Sequence, residues 1–290
     1  MSPRTFALHL AMTPGLGGKS VARVVERNRL LGRSPAEFLA LSEASLREEY
    51  RLARRPAEAL REGGADALAR TAALQARLES LGVVLFTAAD VHYPAIVEAF
   101  DPDPPGVLFA YGNLKLLARP TFAVMASRGT TPQGLDLIER LTEGGVLNGE
   151  TIVAGHDRPE YQRAAIVPLR WGAPRILVLD QGLFRVLGED LRNEAFRAAR
   201  LWRYEFDPRT DLVVSPFRPD SGFIGANNRV RDRLVAALAA RVDFVHVAEG
   251  GNMDRLVRMT RAAGRDARVD ASAPLFAEYE GLGATVLEKA

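Results

Sequence analysis

HYPAIVEAFDPDPPGVLFAYGNLKLLARPTFAVMASR, residues His92–Arg128, is the stretch on which the reading of this chain turns. Tyr93-Pro94 opens a short helix. A proline-rich turn follows, since each proline fixes its own φ and pushes the residue before it toward extended backbone. Val107-Leu108-Phe109-Ala110-Tyr111 is then an apolar run short enough for a strand buried on both faces. After a Gly112-Asn113 turn comes a second such strand, Thr121 to Ala126. The polar loop Ser127-Arg128-Gly129-Thr130-Thr131 then opens a helix. A strand that runs into small polar residues, an arginine and a helix N-terminus suits an anion. The free N–H groups of the first turn, the helix dipole and the guanidinium all act on the same spot.

The period of the apolar residues differs on the two sides of this stretch. Residues 1–82 read as helical throughout, with Ser34-Pro35 as an N-cap and first-turn pair and Gly82 as a stop after Leu68–Leu81. From Val83 onward short apolar strands alternate with helical segments. The strands are Val107–Tyr111, Thr121–Ala126, Thr151–Ala154, Arg175–Leu179, Leu212–Val214, Val242–Val247 and Ala267–Val269. The helices between them are expected at Pro132–Thr142, Glu160–Val167, Glu189–Leu201, Asn228–Ala240 and Met253–Ala263. Such alternation predicts an α/β fold, a Rossmann-like doubly wound and mostly parallel sheet spanning 83–290, preceded by a small all-helical domain over 1–82. In that architecture a ligand lies beyond the carboxyl ends of the strands.

Composition narrows the chemistry. The chain has 290 residues, 47% of them apolar, enough for a sizeable core. Its net charge is only +2, from 38 basic and 36 acidic residues, and the basic residues are nearly all arginine. Only Lys19, Lys115 and Lys289 are lysines. Arginine is the better bidentate phosphate ligand, but a GC-rich coding sequence produces the same bias. With no cysteine, disulfides, thiolate metal sites and a cysteine nucleophile are excluded. No apolar run approaches the ~20 residues of a membrane helix, and the start lacks the length and cleavage site of a signal peptide. A cytoplasmic protein is the expectation.

Near the N-terminus, Thr13-Pro14-Gly15-Leu16-Gly17-Gly18-Lys19-Ser20 invites two readings. Its Gly-Lys-Ser end suggests a P-loop, but Thr13 stands where the first P-loop glycine belongs and no strand precedes it. Pro-Gly-Leu-Gly between two helices fits a helix-hairpin-helix turn, whose glycine N–H groups can approach a phosphate. As a single isolated copy it fits a tight inter-helix turn that binds nothing somewhat better.

The order YP…DPPxxLFxxGN…VxxSRxxTxxG in residues 93–134 resembles the DNA-processing protein A family, and the resemblance extends over roughly residues 92–270. Ser127-Arg128 matches the Ser-Arg of that family's Gly-Ser-Arg motif, with Ala126 in place of the glycine and Gly134 at its later glycine. Of the next motif only Gly155 survives, in Ala154-Gly155-His156-Asp157. His156-Asp157 has neither a paired nucleophile nor metal ligands beside it and reads as a polar loop. Gly182-Leu183 and Ser215 keep fragments of the middle motifs. Arg231-Asp232-Arg233-Leu234 looks like the family's Arg-Asn-Arg-Ile, where Asp232 either weakens phosphate attraction or pins an arginine. Asn228-Arg229 offers a second register. Between Ala226 and Arg268 nine arginines face five acids, a local positive excess that suits a phosphate backbone.

Gly250-Gly251-Asn252 follows the last core strand and precedes a helix, another cradle of N–H groups. In the wider superfamily shared with the phosphoribohydrolases this loop reads Pro-Gly-Gly-x-Gly-Thr followed by Glu. The proline, third glycine and threonine are missing here.

The resemblance implies a non-catalytic protein that binds single-stranded DNA in DNA uptake and recombination (natural transformation), without a cofactor. It would present that DNA to a RecA-type recombinase, and as a homodimer. Ser127, Gly129 and Thr130 would hold a phosphate, Arg128, Arg229, Arg231 and Arg233 would neutralise the backbone, and Gly155, Gly250, Gly251 and Asn252 would line the approach. Phe217 and Phe223 are the candidates for stacking on bases. Two alternatives stay open: a small-nucleotide sensor or phosphoribohydrolase-like enzyme on the same fold, and an interaction scaffold whose loops have lost their ligand.

Overall fold

The computed structural model describes residues 2–288 and divides into two compact units. The first unit holds the chain up to Glu98 together with Pro102–Phe109. It begins with helices α1 (Pro3–Met12), α2 (Gly18–Leu31), α3 (Pro35–Leu39), α4 (Glu43–Glu48) and α5 (Arg54–Ser80), the last broken at Gly64. Strand β1 (Val84–Thr87) and helix α6 (Ala95–Phe100) follow, and the unit closes in β2 (Val107–Gly112). Local sequence fixes the helix starts. Ser2, Ser34 and Ser42 each accept a hydrogen bond from a first-turn N–H, and Ser34 forms a full capping box with Glu37. Phe6, Phe38 and Tyr50 meet edge-to-face at centroid distances of 5.4 and 4.8 Å and centre the helical core.

The border between the units lies beyond position 82, where the sequence placed it. Strand β1 belongs with the helices, because Arg4 donates to the Leu85 carbonyl at 2.9 Å and the Ala88 N–H donates to the Gly106 carbonyl at 3.0 Å.

The Pro-Gly-Leu-Gly turn faces its own unit. The Gly18 N–H donates to the Pro104 carbonyl at 3.2 Å, and a side chain at Gly17 would lie 3.1 Å from the Asp103 carboxylate. Gly15 takes φ +86, which makes the turn between α1 and α2 possible. With a carboxylate against it and an N–H already paired, this turn is a structural hairpin and not a phosphate seat.

The second unit, Ala110–Ala290 with Ala99–Asp101, is the α/β body. In chain order it contains β3 (Thr121–Ala126), α7 (Pro132–Leu147), β4 (Thr151–Gly155), α8 (Pro159–Arg170), β5 (Arg175–Val178), α9 (Leu183–Leu187) and β6 (Leu212–Ser215). Then come α10 (Asn227–Leu238), β7 (Arg241–His246), α11 (Asn252–Ala262), β8 (Asp266–Val269), α12 (Phe276–Gly281) and β9 (Thr285–Val286). The strand order is β6-β5-β4-β3-β7-β8-β9, with parallel pairing at every step. Every residue of β3, β4, β5 and β6 is buried, as expected of parallel strands covered by helices on both faces. This is a Rossmann-like sheet. From β3 the chain winds one way through β4, β5 and β6 and then the other way through β7, β8 and β9. The switch point therefore lies between β3 and β7, and the crevice opens at their carboxyl ends. The β3–β7 register also shifts between Met125 and Ala126, at the mouth of that crevice.

The helix expected over Glu189–Leu201 does not form. A short helix ends at Leu187 instead, and the chain runs irregularly to a 3-10 turn at Arg197–Leu201. The cause is a buried ionic cluster. Arg175, fully enclosed, donates to Glu194 at 2.6 Å and Asp211 at 2.7 Å, while Arg203 bonds the same two carboxylates. Glu194 has to turn inward to meet these partners, and the loop follows it, with Leu191 in left-handed backbone. Among the described residues no helix is long and apolar enough to cross a membrane.

Candidate functional site

The turn after β3 is stitched to the end of β7. The Ser127 N–H donates to the His246 carbonyl at 2.7 Å, and the Ser127 hydroxyl accepts from the Ala248 N–H at 2.9 Å. Thr130 Oγ1 donates back to the Ser127 carbonyl at 2.9 Å, closing a four-residue turn whose third residue, Gly129, takes φ +82. Thr131 then caps α7 through the Gly134 N–H, with Pro132 in the first helical position. The consequence is that Arg128 is lifted to the crest of the turn. It is exposed, with no hydrogen bond or ion pair among the described residues.

A pocket of about 370 Å³ lies against this turn. Ser127 and Arg128 form one wall, Arg158 stands at the entry to α8, and Gly225, Asn228, Arg229 and Asp232 come from α10 and its lead-in. The β7–α11 loop closes the pocket with Ala248, Gly251, Asn252 and Met253. Arg229, like Arg128, is exposed and unpaired among the described residues, whereas Arg158 donates to Glu160 at 3.3 Å.

The carboxylate in the lining is already engaged. Asp232 Oδ1 accepts from the Tyr161 hydroxyl at 2.8 Å and from Arg231 Nε at 3.0 Å, and its Oδ2 accepts from Asn252 Nδ2 at 2.9 Å. Burial, followed by the Asp232 charge, pushes the Tyr161 phenol well above its ordinary range, so it stays a donor. What remains in the lining beside it is chiefly the guanidinium groups of Arg128, Arg158 and Arg229 and the side-chain amide of Asn228. These are groups that attract an anion.

Beneath the pocket lies a buried polar layer. Arg231 has no solvent exposure, and its guanidinium sits 4.8 Å from the Tyr161 ring centroid. It donates to Asp180 at 3.1 Å, to Asp232 and to the His156 carbonyl. His156 Nδ1 lies 3.0 Å from Asp180 and its ring stacks on Phe196, so the polar loop read at His156-Asp157 holds its histidine buried. Asn227 ties Asp180 to α10 through the Asp180 carbonyl at 2.7 Å.

Several expected ligands are thus placed elsewhere. Asn228, Arg229 and Asp232 share one face of α10. At about 100° per residue, Arg231 turns from that face toward the sheet and Arg233 turns away on the other side, where it pairs with Asp101 at 2.7 Å. Neither reaches the pocket, and the Asn228-Arg229 register supplies the residues that do. Gly155 is buried under Tyr161 and Arg231, whose atoms would lie 2.6 and 2.8 Å from an added Cβ, so it serves packing and not ligand approach. The Gly250 N–H donates to Asp254 at 3.1 Å and shapes the loop, while Gly251 and Asn252 line the pocket. Gly129 and Thr130 face a second cavity across the turn. Phe217 and Phe223 are not in the lining. Phe223, 46% exposed, stands in the same lead-in as Gly225.

Sequence reading missed Arg158 and Met253; of the two roles it left open for Asp232 the structure shows the second, since Asp232 holds Arg231. Arg158 was legible in part, since Pro159 directly after it marks a helix start. Among the described residues no group of three or more His, Asp or Glu side chains is placed to hold a metal ion.

Comparison with known proteins bears on the family and the fold. A family model described as DNA recombination-mediator protein A matches residues 84–266, more than half of the chain. The DNA processing protein DprA of Streptococcus pneumoniae (strain ATCC BAA-255 / R6) is 28% identical over 140 residues, a stretch covering 48% of this chain and 46% of that protein. The X-ray structure of DprA from Streptococcus pneumoniae superposes with a TM-score of 0.70 at 21% identity, covering 98% of this chain and 94% of that one. A structure of DNA processing protein A from Helicobacter pylori, described for its single-stranded DNA binding mode, gives a TM-score of 0.50 at 20% identity. It covers 66% of this chain and 88% of that one.

Proposed function

The chain belongs to the DNA recombination-mediator protein A family, and from that premise we propose that it binds single-stranded DNA at the crevice between β3 and β7 without cutting it. The observation that carries the reading is the set of Arg128, Arg158 and Arg229 around one pocket whose carboxylate, Asp232, is already hydrogen-bonded through both oxygens to Tyr161, Arg231 and Asn252. Such a site offers cations to phosphates, and the one carboxylate in its lining is tied to neighbouring side chains instead of standing ready as a general acid or base on a sugar or base. It therefore favours binding over hydrolysis. Exposed Phe223, two residues before the pocket-lining Gly225, is available to stack on a base. In this reading the protein hands its DNA to a RecA-type recombinase and works as a homodimer in the cytoplasm.

Fluorescence anisotropy against labelled oligo-dT, AMP and ADP-ribose tests the proposal. Tight oligonucleotide binding that weakens with salt, with a log–log slope of about −2 for three phosphate contacts, supports it. Saturable binding of AMP or ADP-ribose with none to oligo-dT replaces it with a nucleotide sensor. Binding to none of the three leaves an interaction scaffold.

A further inference from the structure

On the far side of the Ser127–Thr130 turn lies a second cavity of about 320 Å³. The two cavities stand back to back across the same four residues. The stitching explains why: His246, whose carbonyl takes the Ser127 N–H, lines the second cavity, whereas Ala248, whose N–H reaches the Ser127 hydroxyl, lines the first.

The second cavity has the two kinds of surface a nucleotide needs. Leu137 and Val245, both nearly buried, give it an apolar floor. Arg140 and His246 stand on its rim, both exposed and with their side chains unpaired among the described residues. Asp270 also lines it, but its Oδ1 is held by the Ser272 N–H at 2.8 Å and hydroxyl at 2.6 Å, which lowers its repulsion toward an anion. A volume of this size lies at the lower end of small-ligand sites.

We infer that a single polynucleotide strand bound in the first pocket crosses the turn at Arg128 and seats its next nucleotide in the second cavity, with Arg140 and His246 on the phosphate and Leu137 and Val245 under the base. The inference rests on the single-stranded DNA reading of the first pocket and extends it. It makes the Ser127–Thr130 turn a saddle between two nucleotide cells instead of the wall of one. Arg128 at its crest then meets the phosphate that joins them.

The test measures binding of an oligo-dT length series, from two to ten nucleotides, to the full chain and to its Arg140→Gln, His246→Gln and Arg229→Gln variants. Arg140 and His246 are exposed and unpaired, so these variants keep the wild-type melting temperature. The wild type gains affinity in a step when the strand becomes long enough to cross the turn. Arg140→Gln leaves the shortest bound oligonucleotide unaffected and loses about tenfold on the longer ones. Its salt slope on those falls by about 0.7. His246→Gln has a smaller effect in the same direction. Arg140→Gln binding that equals the wild type at every length, while Arg229→Gln binding falls, overturns the second cell and leaves the first pocket standing. Equal weakening at all lengths also overturns it, since Arg140 would then act on the first nucleotide. A wild type that binds no oligonucleotide removes the parent reading and this inference with it.

Discussion

Asp232 Oδ2 accepts a hydrogen bond from Asn252 Nδ2 at 2.9 Å, tying the middle of α10 to the first residue of α11 across the pocket. The same carboxylate holds Arg231 and Tyr161 through its other oxygen. One buried side chain thus couples the buried polar layer to the loop that lines the pocket.

Removing that carboxylate should be costly. Asp232→Ala leaves Arg231, fully enclosed, with Asp180 as its remaining carboxylate partner. Breaking a buried pair from one side costs about 3–5 kcal/mol, and urea denaturation is the measurement. A variant as stable as the wild type would mean that Arg231 is reached by water and is not sealed.

Arginines that look alike in sequence should behave in opposite ways. Arg128→Ala and Arg229→Ala are expected to keep wild-type stability, to weaken oligonucleotide binding similarly for all sequences, and to lower the salt slope by about 0.7 each. Arg231→Ala is expected to unfold at lower denaturant, since it strands Asp180 and Asp232. Titrations at several salt concentrations, paired with unfolding curves, separate the two behaviours.

Helix α7 rests directly on β3. An added Cβ at Gly145 would lie 2.3 Å from the ring of fully buried Phe122. Gly145→Ala therefore forces a shift in the sheet's centre and should destabilise by about 1–3 kcal/mol, in spite of alanine's better helix propensity. Thermal melting reads the sign directly, and a stabilised variant would contradict the packing.

Acid should loosen the clasp between α7 and α8. The hydrogen bond from Arg170, reinforced by Arg163, holds the Glu139 carboxyl below its ordinary range. A depressed carboxyl contributes stability above its unfolded value and loses it as pH falls through the folded one. The pair is partly exposed, so the contribution is about 1 kcal/mol or less. Glu139→Gln should flatten the wild-type loss of stability below about pH 4, as followed by urea midpoints across that range.

The ionic cluster around Arg175 should decide the path of the chain between α9 and β6. Glu194→Ala removes a carboxylate shared by buried Arg175 and by Arg203. The expected loss is about 3–5 kcal/mol, with hydrogen exchange rising first in residues 188–206. Protection that stays unchanged there would assign the loop's shape to other contacts.

Much of this architecture was legible because it is written locally. The apolar runs at Thr121–Ala126 and Thr151–Ala154 could only be buried strands. The polar run Ser127–Thr131 announced a loop that opens a helix, and Arg128 had to stand near that helix's start. The helix expected over Glu189–Leu201 failed for the opposite reason. Its residues have adequate helix propensity, but Glu194 answers to Arg175 and Arg203, and no local pattern records that demand.

By itself, then, the amino-acid order determined the alternation of strands and helices, the parallel sheet and the anion-ready turn after β3, since each depends on neighbours a few residues apart. Which arginines stay open to solvent was decided only in three dimensions. Arg229 and Arg231 are two residues apart on one helix, yet Arg229 faces water while Arg231 is claimed by Asp180 and by the carbonyl of His156, 51 and 75 positions earlier. A guanidinium goes wherever carboxylates and carbonyls compensate its burial, and those partners arrive only when the sheet has brought distant strand ends together.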